Sequence, residues 1–464
     1  MFVSFSLLLM LSAAQPPLHP VVEAEEVVFR YTPADNGSGP LWCFGSTCLV
    51  RAGERVFASG LETLADCPPL NNCRWQLYAR GAADWQLVAV DPKDRTREPC
   101  PLGWTHDGRL FMSVNPTLVA DRTKTGGGPA RPEILEFSAA DPARVPQTIL
   151  PAWGDSPAFT EHSYRTFAAD GPAGEIILFQ NVSYSHSEWI LGDGKGNWPA
   201  RGKLAWPPYE DPKHEPYGAT HVRVNYPNVV LRNREVHFCG MASYNKWDRV
   251  RDQPELMGRE NWGSRTRRLL YTWTPDVAKQ PFGEWVEIGH TFATGGYLLT
   301  GDLWRAPDGL VHIVWPEYPI HPKLRRDYFP DIKRTQSIKY ALLRDGKILQ
   351  RRTLLEGGEG AGNEFPSTPR FQVLPDNRLI LVYAVECRGP DKTTRENRLM
   401  ELSADGVPGP SVAIPLQHPL SNYFTATPRG GSAPSTTLDL FGSRFQPPPG
   451  DPAMCYARIR LNVE

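Results

Sequence analysis

The sequence predicts an all-β fold, a seven-bladed β-propeller built from four-stranded antiparallel blades. Three observations predict it. A unit of strand, turn and aromatic-rich strand recurs seven times along the 464 residues, with starts roughly 54 to 78 residues apart. Most units are followed by a second pair of strands, and helical periodicity is nearly absent. Two hairpins per unit make a four-stranded sheet, and radial repetition of such sheets makes a propeller.

The seven units share an Asp-Gly-like or Asp-Asn-like turn between two short strands, and the last unit is the most degenerate. They begin at Trp42, Pro101, His162, Val224, Asp302, Pro369 and Tyr423. The strand EEVVFRYT, residues 25–32, precedes the first unit, so we expect it to complete the last sheet beside MCYARIRLNV and close the ring. Two β-sandwiches are the alternative architecture.

The N-terminal residues MFVSFSLLLMLSAAQ are typical of a secretory signal, with cleavage expected after Ala14. Residues 1–14 are therefore predicted to be a signal peptide and residues 25–464 a single propeller domain. The expected location is secreted or periplasmic, and the expected state is a monomer. No later segment is apolar for long enough to span a bilayer.

Eight cysteines fit an exported protein. Cys43, Cys48, Cys67 and Cys73 fall close together, where one or two disulfides could staple the first unit, although spacing leaves the connectivity open. The sequence contains no CxxC pair and no HExxH motif, so it carries no recognisable zinc signature. No cofactor is predicted, and a structural metal ion stays an open question.

The charge balance excludes some classes of partner. The chain has 50 basic and 51 acidic residues and a formal net charge of −1. This balance gives no electrostatic footprint for nucleic acid or for an anionic membrane. Any acidic ligand must therefore be captured by a local cluster of cationic side chains.

The third unit, 161-EHSYRTFAADGPAGEIILFQNVSYSH-186, concentrates polar side chains at its two ends. In an antiparallel hairpin the start of the first strand and the end of the second lie at the same edge. We therefore expect these side chains to share one rim of the ring. They are His162, Tyr164, Arg165, Tyr184 and His186.

The same register brings side chains of other units to the predicted rim. The candidates there are Trp104, His221, Arg223, Tyr226, Asp302, Trp304, Glu317 and Arg370. A single histidine or tyrosine on an inner strand more often fills the channel than reacts, but this clustering favours a shared site. A mixture of His, Tyr, Arg and carboxylate suits a polyhydroxylated, acidic substrate.

Residues 162–240 resemble the BNR-repeat propellers, which include sialidases and the seven-bladed lyases that act on uronate-containing glycans such as ulvan. In those lyases one His opens an inner strand and a second follows some twenty residues later, as His162 and His186 do here. The segment 226-YPNVVLRNREVHFCG-240 resembles their tyrosine-bearing strand. Those lyases carry an Arg where this chain has Cys239 and Gly240, so the cationic role passes to Arg223 or Arg165.

The resemblance implies β-elimination, which needs a base, an acid and a cation that stabilises charge on the carboxylate. The predicted catalytic residues are His162, His186, Tyr226 and Arg223, with the remaining rim residues binding an acidic carbohydrate. Two alternatives stay open. A hydrolase would need two carboxylates, for which Asp302, Glu317 and Glu386 are available. A non-catalytic binding propeller would need only aromatic rings around the mouth, namely Trp104, Trp189 and Trp304.

Overall fold

The computed structural model describes residues 18–462 except 82–83, 93–94, 184, 209–220, 243–265, 292–293, 323–324 and 327–328. The predicted signal segment lies outside these residues. Within the described part of the chain, no helix has the length and hydropathy that a membrane crossing requires.

The chain forms seven antiparallel sheets, and each sheet is one blade. A long strand, β1 (His19–Arg30), comes first. The next four strands form blade one and are β2 (Leu49–Ala52), β3 (Arg55–Thr63), β4 (Cys73–Arg80) and β5 (Trp85–Val90). Blade two contains β6 (Leu102–Trp104), β7 (Arg109–Val114), β8 (Glu133–Ser138) and β9 (Gln147–Ile149). Blade three contains β10 (Thr166–Asp170), β11 (Glu175–Val182), β12 (His186–Gly192) and β13 (Ala200–Ala205).

The remaining blades repeat the pattern. Blade four contains β14 (Val224–Arg232), β15 (Glu235–Ala242), β16 (Arg268–Thr274) and β17 (Val286–His290). Blade five has a split inner strand and contains β18 (Tyr297–Leu298), β19 (Asp302–Arg305), β20 (Val311–Tyr318), β21 (Thr335–Arg344) and β22 (Lys347–Gly358). Blade six contains β23 (Glu364–Val373), β24 (Leu379–Arg388), β25 (Thr393–Leu402) and β26 (Val412–Ile414). Blade seven contains β27 (Leu420–Thr425), β28 (Thr437–Arg444) and β29 (Ala453–Asn462), with a 3₁₀ turn at Pro428–Gly430.

The ring closes through the first and last strands. β1 pairs antiparallel with β29, from His19 opposite Asn462 to Arg30 opposite Ala453, and supplies the outer strand of blade seven. The predicted seven-bladed propeller and its ring-closing N-terminal strand are thus confirmed. The strand begins at His19, ahead of the predicted start at residue 25, because its pairing with β29 continues to the end of that strand.

The hydrophobic core lies between the blades. The buried apolar side chains form seven clusters, and each cluster joins two neighbouring blades. Between blades three and four, for example, the rings of Phe179 and Phe238 lie 5.2 Å apart. Burial at about 25 cal/mol per Å² of apolar surface therefore stabilises the ring as a whole, since no blade covers its own two faces.

The centre of the ring is filled by a segment that we call the plug loop, residues 39–48, which connects β1 to β2. The Gly45 carbonyl accepts hydrogen bonds from Arg429 Nη1 at 2.7 Å and from Asn228 Nδ2 at 3.1 Å. Arg370 Nη1 donates to the Phe44 carbonyl at 3.2 Å. Arg429 also pairs with the buried Asp302 carboxylate at 2.7 Å. Blades four, five, six and seven are thereby tied to one short stretch of backbone.

The plug loop overturns part of the predicted rim. Asp302 and Arg370 were expected to face substrate, but both are buried in the channel, at 1% and 4% exposure. The Asp302 carboxylate also accepts the Phe371 backbone N–H at 3.0 Å. These two residues hold the plug loop, because buried charges need partners close at hand.

We predict that Gly45→Ala destabilises the fold while Gly39→Ala does not. A Cβ at Gly45 would overlap the backbone carbonyls of Tyr226 and Pro227, whereas a Cβ at Gly39 meets open space. Overpacking against backbone should cost about 3 kcal/mol. Chemical denaturation of the two variants measures this difference in the free energy of unfolding. Equal stabilities for both would show that the plug loop is not held as described.

Candidate active site

Three partly exposed side chains stack at the face of the ring where the inner strands begin, which we call the entry face. The rings of His162 and Tyr164 lie 4.0 Å apart at an interplanar angle of 30°. The Arg223 guanidinium lies 4.4 Å from the centroid of the Tyr164 ring, and its Nη2 donates to the Tyr164 hydroxyl at 3.2 Å. An imidazole, a phenol and a guanidinium are therefore available together on two neighbouring blades.

Local backbone strain brings these rings together. Tyr164 and Tyr226 both have positive φ, 44° and 48°. The β14 register shifts between Asn225 and Asn228, at the same point. Non-glycine residues adopt this region at a cost and concentrate at functional sites. As a result the Tyr164 and Tyr226 rings meet edge to face at 4.9 Å.

Tyr226 forms the back wall of the site. Its ring packs against Phe44 at 5.3 Å and against Trp42 at 5.7 Å, both from the plug loop. Burial raises its pKa, and the neighbouring Tyr164 and Glu98 add to that shift more than Arg223 opposes it. Tyr226 therefore stays a neutral phenol.

A buried carboxylate lies beneath the stack. Glu98 Oε2 accepts the Ser163 backbone N–H at 3.1 Å and its hydroxyl at 2.6 Å. Glu98 Oε1 lies 3.6 Å from His162 Nε2, and neither atom has a hydrogen-bond partner among the described residues. Burial raises the pKa of Glu98 despite the nearby Arg165 guanidinium. Glu98 thus provides a second proton-binding group beside the imidazole.

Arg165 supports this carboxylate. Its Nη1 lies 3.5 Å from Glu98 Oε2, and its side chain is 2% exposed. Its Nη2 donates to the Pro99 carbonyl at 2.6 Å. Arg165 was predicted to contact substrate or neutralise its carboxylate, and its burial makes both roles wrong. Arg223 is consequently the cation left for that task.

The site keeps His162 neutral. Burial lowers its pKa to about 3, and the positive charges of Arg97 and Arg223 contribute to the shift. The imidazole is therefore unprotonated at neutral pH and is a weak base in the empty site, and an incoming anion would offset the two guanidinium charges. Arg97 is itself paired with Glu161, at 3.4 Å.

His186 lies farther out than the hairpin prediction placed it. It begins β12, the third strand of blade three, and pairs with Val182 of β11. Its Nδ1 lies 2.7 Å from the Ser185 hydroxyl and its Nε2 lies 2.9 Å from Glu188 Oε1. Two strand spacings, about 10 Å, separate the third strand from the first. The prediction that His186 closes the inner hairpin is wrong, because β11 ends at Val182 and His186 pairs back with that residue as the start of the next strand.

Other predicted rim residues are scattered. His221 is half-buried beside Pro208 at the start of blade four. Glu317 accepts a hydrogen bond from Trp315 Nε1 at 3.3 Å within blade five. Tyr184 lies outside the described residues.

The predicted aromatic ring around the mouth is wrong. Trp104 and Trp304 lie near the ends of inner strands β6 and β19, and therefore at the opposite face, which we call the far face. There Trp304 lines a cavity of about 390 Å³ together with His106 and Arg232. Trp189 is buried between blades three and four. Trp104 and Trp304 are thus at the opposite end of their strands from the predicted mouth, and Trp189 is buried instead of facing it.

The carboxylates proposed for a hydrolase are already paired. Asp302 binds Arg429, and Glu386 binds Arg388 at 2.7 Å and Arg395 at 3.1 Å. No group of three or more His, Cys, Asp or Glu residues with metal-binding geometry occurs in the part of the chain that the structure describes.

Sequence reasoning missed Glu98, Arg97 and the plug-loop aromatics Trp42 and Phe44. Glu98 precedes the inner strand of blade two as His162 precedes that of blade three. Choosing polar residues just before an inner strand, which selected His162, therefore selects Glu98 as well. No sequence signal marks the plug loop, because its position follows from long-range contacts with several blades.

Solved structures share this architecture. The polysaccharide lyase Uly1 aligns with a TM-score of 0.54 and 10% identity, over 98% of each chain. A PL25 ulvan lyase bound to -[GlcA(1-4)Rha3S]- aligns with a TM-score of 0.51 and 9% identity, over 95% of this chain and 96% of that one. The arabinofuranosidase Arb93A from Fusarium graminearum aligns with a TM-score of 0.42 and 12% identity, over 89% of this chain and 98% of that one.

The likenesses to the two polysaccharide lyases, with TM-scores above 0.5, support the propeller fold. A search against protein-family models gives no match, and a search of curated proteins gives none either. The resemblance to BNR-repeat proteins therefore stays a prediction.

We predict that His162 remains unprotonated down to about pH 3 and that Arg223→Gln raises its pKa. The unfolded chain binds this proton near pH 6.5, so the group destabilises the fold as pH falls from there toward 3. NMR titration of the imidazole, assigned with a His162→Gln variant, measures the midpoint. Arg232→Gln, on the far face, is the matched control and should leave it unchanged. A wild-type midpoint near 6.5 would contradict the described burial.

Proposed function

We propose that this chain is a carbohydrate-active propeller that cleaves a uronate-containing polysaccharide by β-elimination at the entry face. The observation that carries the proposal is the stack of His162, Tyr164 and Arg223, which places a neutral imidazole, a phenol and a guanidinium within contact of one another. These are the three groups that elimination beside a carboxylate requires.

Each side chain takes one role. Arg223 pairs with the uronate carboxylate and stabilises the negative charge that develops there. His162 removes the proton from the carbon next to that carboxylate. Tyr164 donates its phenolic proton to the departing glycosidic oxygen. The acid role passes from Tyr226 to Tyr164, because Tyr226 lies behind it and is only 8% exposed.

Substrate charge and base strength are coupled at this site. The guanidinium groups of Arg97 and Arg223 help to hold the pKa of His162 low after burial has lowered it. A bound carboxylate offsets that positive charge and so raises the pKa of the imidazole toward its ordinary value. His162 becomes a stronger base when an acidic sugar is present, which favours acidic over neutral glycans.

His186 is proposed to bind a neighbouring sugar unit. Its ring nitrogens already contact Ser185 and Glu188, and it lies toward the outside of blade three. This arrangement suits substrate positioning more than proton transfer. His221 lies at the start of blade four, and we propose that it contacts the substrate on the side opposite to His186.

The likeness to lyases supports the proposal at the level of substrate class. Two of the similar structures are polysaccharide lyases by name, and one of them is an ulvan lyase that holds a glucuronate-containing fragment. We propose that the protein is an exported, monomeric enzyme that acts on an acidic polysaccharide.

We predict that the purified protein, incubated with uronate-containing polysaccharides, produces the ultraviolet absorbance of an unsaturated uronate. His162→Ala should reduce kcat about 100-fold to 10,000-fold, the usual contribution of general base catalysis. His106→Ala, which removes an exposed imidazole at the far face, should leave the rate unchanged. New reducing ends without absorbance would indicate hydrolysis, and full activity in His162→Ala would overturn the assigned base.

The acid is tested by a matched pair of phenol deletions. Tyr164→Phe should lower kcat about 100-fold or more, since it removes the proposed proton donor. Tyr226→Phe should lower it less, because that hydroxyl acts only through Tyr164. Steady-state kinetics on the same polysaccharide compare the two. A larger loss in Tyr226→Phe would return the acid role to Tyr226.

A further inference from the structure

Two thiols of the plug loop lie almost within bonding distance. Cys43 Sγ and Cys48 Sγ are 3.3 Å apart, and both side chains are buried. A disulfide bond is about 2 Å long, so a small movement of the two side chains would close it. The other two cysteines of blade one have different partners, since Cys67 donates to Asp66 and Cys73 contacts Asn36 and Asn72.

The segment between Cys43 and Cys48 is the backbone that fills the channel. Phe44 and Gly45, whose carbonyls bind Arg370 and Arg429, lie between the two cysteines. Ser46, also between them, contacts the Thr166 hydroxyl at 2.8 Å at the start of blade three. A covalent link from Cys43 to Cys48 would therefore fix the part of the loop that the central hydrogen bonds hold.

The surroundings favour one sulfur as the nucleophile. Burial raises the pKa of Cys48, but the hydrogen bond from Cys43 and the charge of Arg165 outweigh it, so the net shift is downward. Burial raises the pKa of Cys43 well above its ordinary value, so that sulfur stays protonated. A sulfur of lowered pKa that lies 3.3 Å from a protonated thiol is a suitable pair for thiol–disulfide exchange.

We propose that Cys43 and Cys48 form a disulfide that locks the plug loop beneath the entry face. The oxidant is a disulfide of low molecular weight or of a protein. The Cys48 thiolate attacks it, which breaks its S–S bond, releases one thiolate and forms a mixed disulfide. Cys43 then loses its proton and attacks the Cys48 sulfur, which releases the second thiol. Two protein thiols are oxidised and one external disulfide is reduced to two thiols.

Peptide mapping tests this pairing independently of any enzymatic activity. The full chain is incubated with oxidised glutathione until its masses no longer change, then quenched in acid, unfolded, alkylated and digested with trypsin. Cys43 and Cys48 share the peptide 31–51, and Cys67 and Cys73 share the peptide 56–74. The first peptide should lack two hydrogens and resist alkylation, whereas the second, an internal control, should be alkylated at both cysteines.

The variants complete the test. Cys43→Ser removes the resolving thiol, so Cys48 should be recovered either alkylated or carrying one glutathione, with no link inside its peptide. The oxidised wild type should melt at a higher temperature than the reduced protein, whereas Cys43→Ser should not gain this link-dependent stability. Full alkylation of peptide 31–51 would overturn the proposal. So would a cross-link from that peptide to residues 98–109, because it would show Cys48 paired with Cys100.

Discussion

The pairing of the buried Asp302 carboxylate with Arg429, together with the bond from Arg429 to the Gly45 carbonyl, is the interaction on which the rest of the structure depends. A ring of blades leaves a polar backbone channel at its centre, and charges buried there are stable only when their hydrogen bonds are complete. Here the Arg429 guanidinium of blade seven pairs with the Asp302 carboxylate of blade five and donates to the Gly45 carbonyl of the plug loop. Among the described residues, these contacts fill the channel around Gly45.

The filled channel makes the two faces of the ring different. On the entry face the plug loop presents Trp42 and Phe44 to Tyr226, and this aromatic wall fixes the position of Tyr164. The stack of His162, Tyr164 and Arg223 rests on that wall. On the far face the inner strands end around a cavity that lacks this stack. Tyr164 and Tyr226 keep their positive φ angles because their rings are packed against each other, and the Tyr226 ring is also packed against the plug-loop aromatics.

The repeat pattern was sufficient to predict the blades, their number and the closing strand, because each depends on local alternation and on turn chemistry. It also predicted His162, Tyr164, Arg223 and Tyr226 at one face, since strand direction alternates regularly in a hairpin. It placed Trp104 and Trp304 wrongly, because they lie near the far ends of the short strands β6 and β19 and so reach the other face. Asp302 and Arg370 were misread because their partners lie far away in sequence. Asp302 binds Arg429 and the Phe371 backbone N–H, and Arg370 binds the Phe44 carbonyl of the plug loop. His186 was assigned to the second strand because the short turn before it has no Gly or Pro.

We propose that the plug loop makes the entry face the place where an acidic glycan binds. A crystal structure of the His162→Ala variant with a uronate-containing oligosaccharide tests it most directly. We expect a sugar carboxylate in contact with the Arg223 guanidinium and the scissile glycosidic oxygen next to the Tyr164 hydroxyl. An oligosaccharide bound in the far-face cavity beside His106, with the entry face unoccupied, would contradict it.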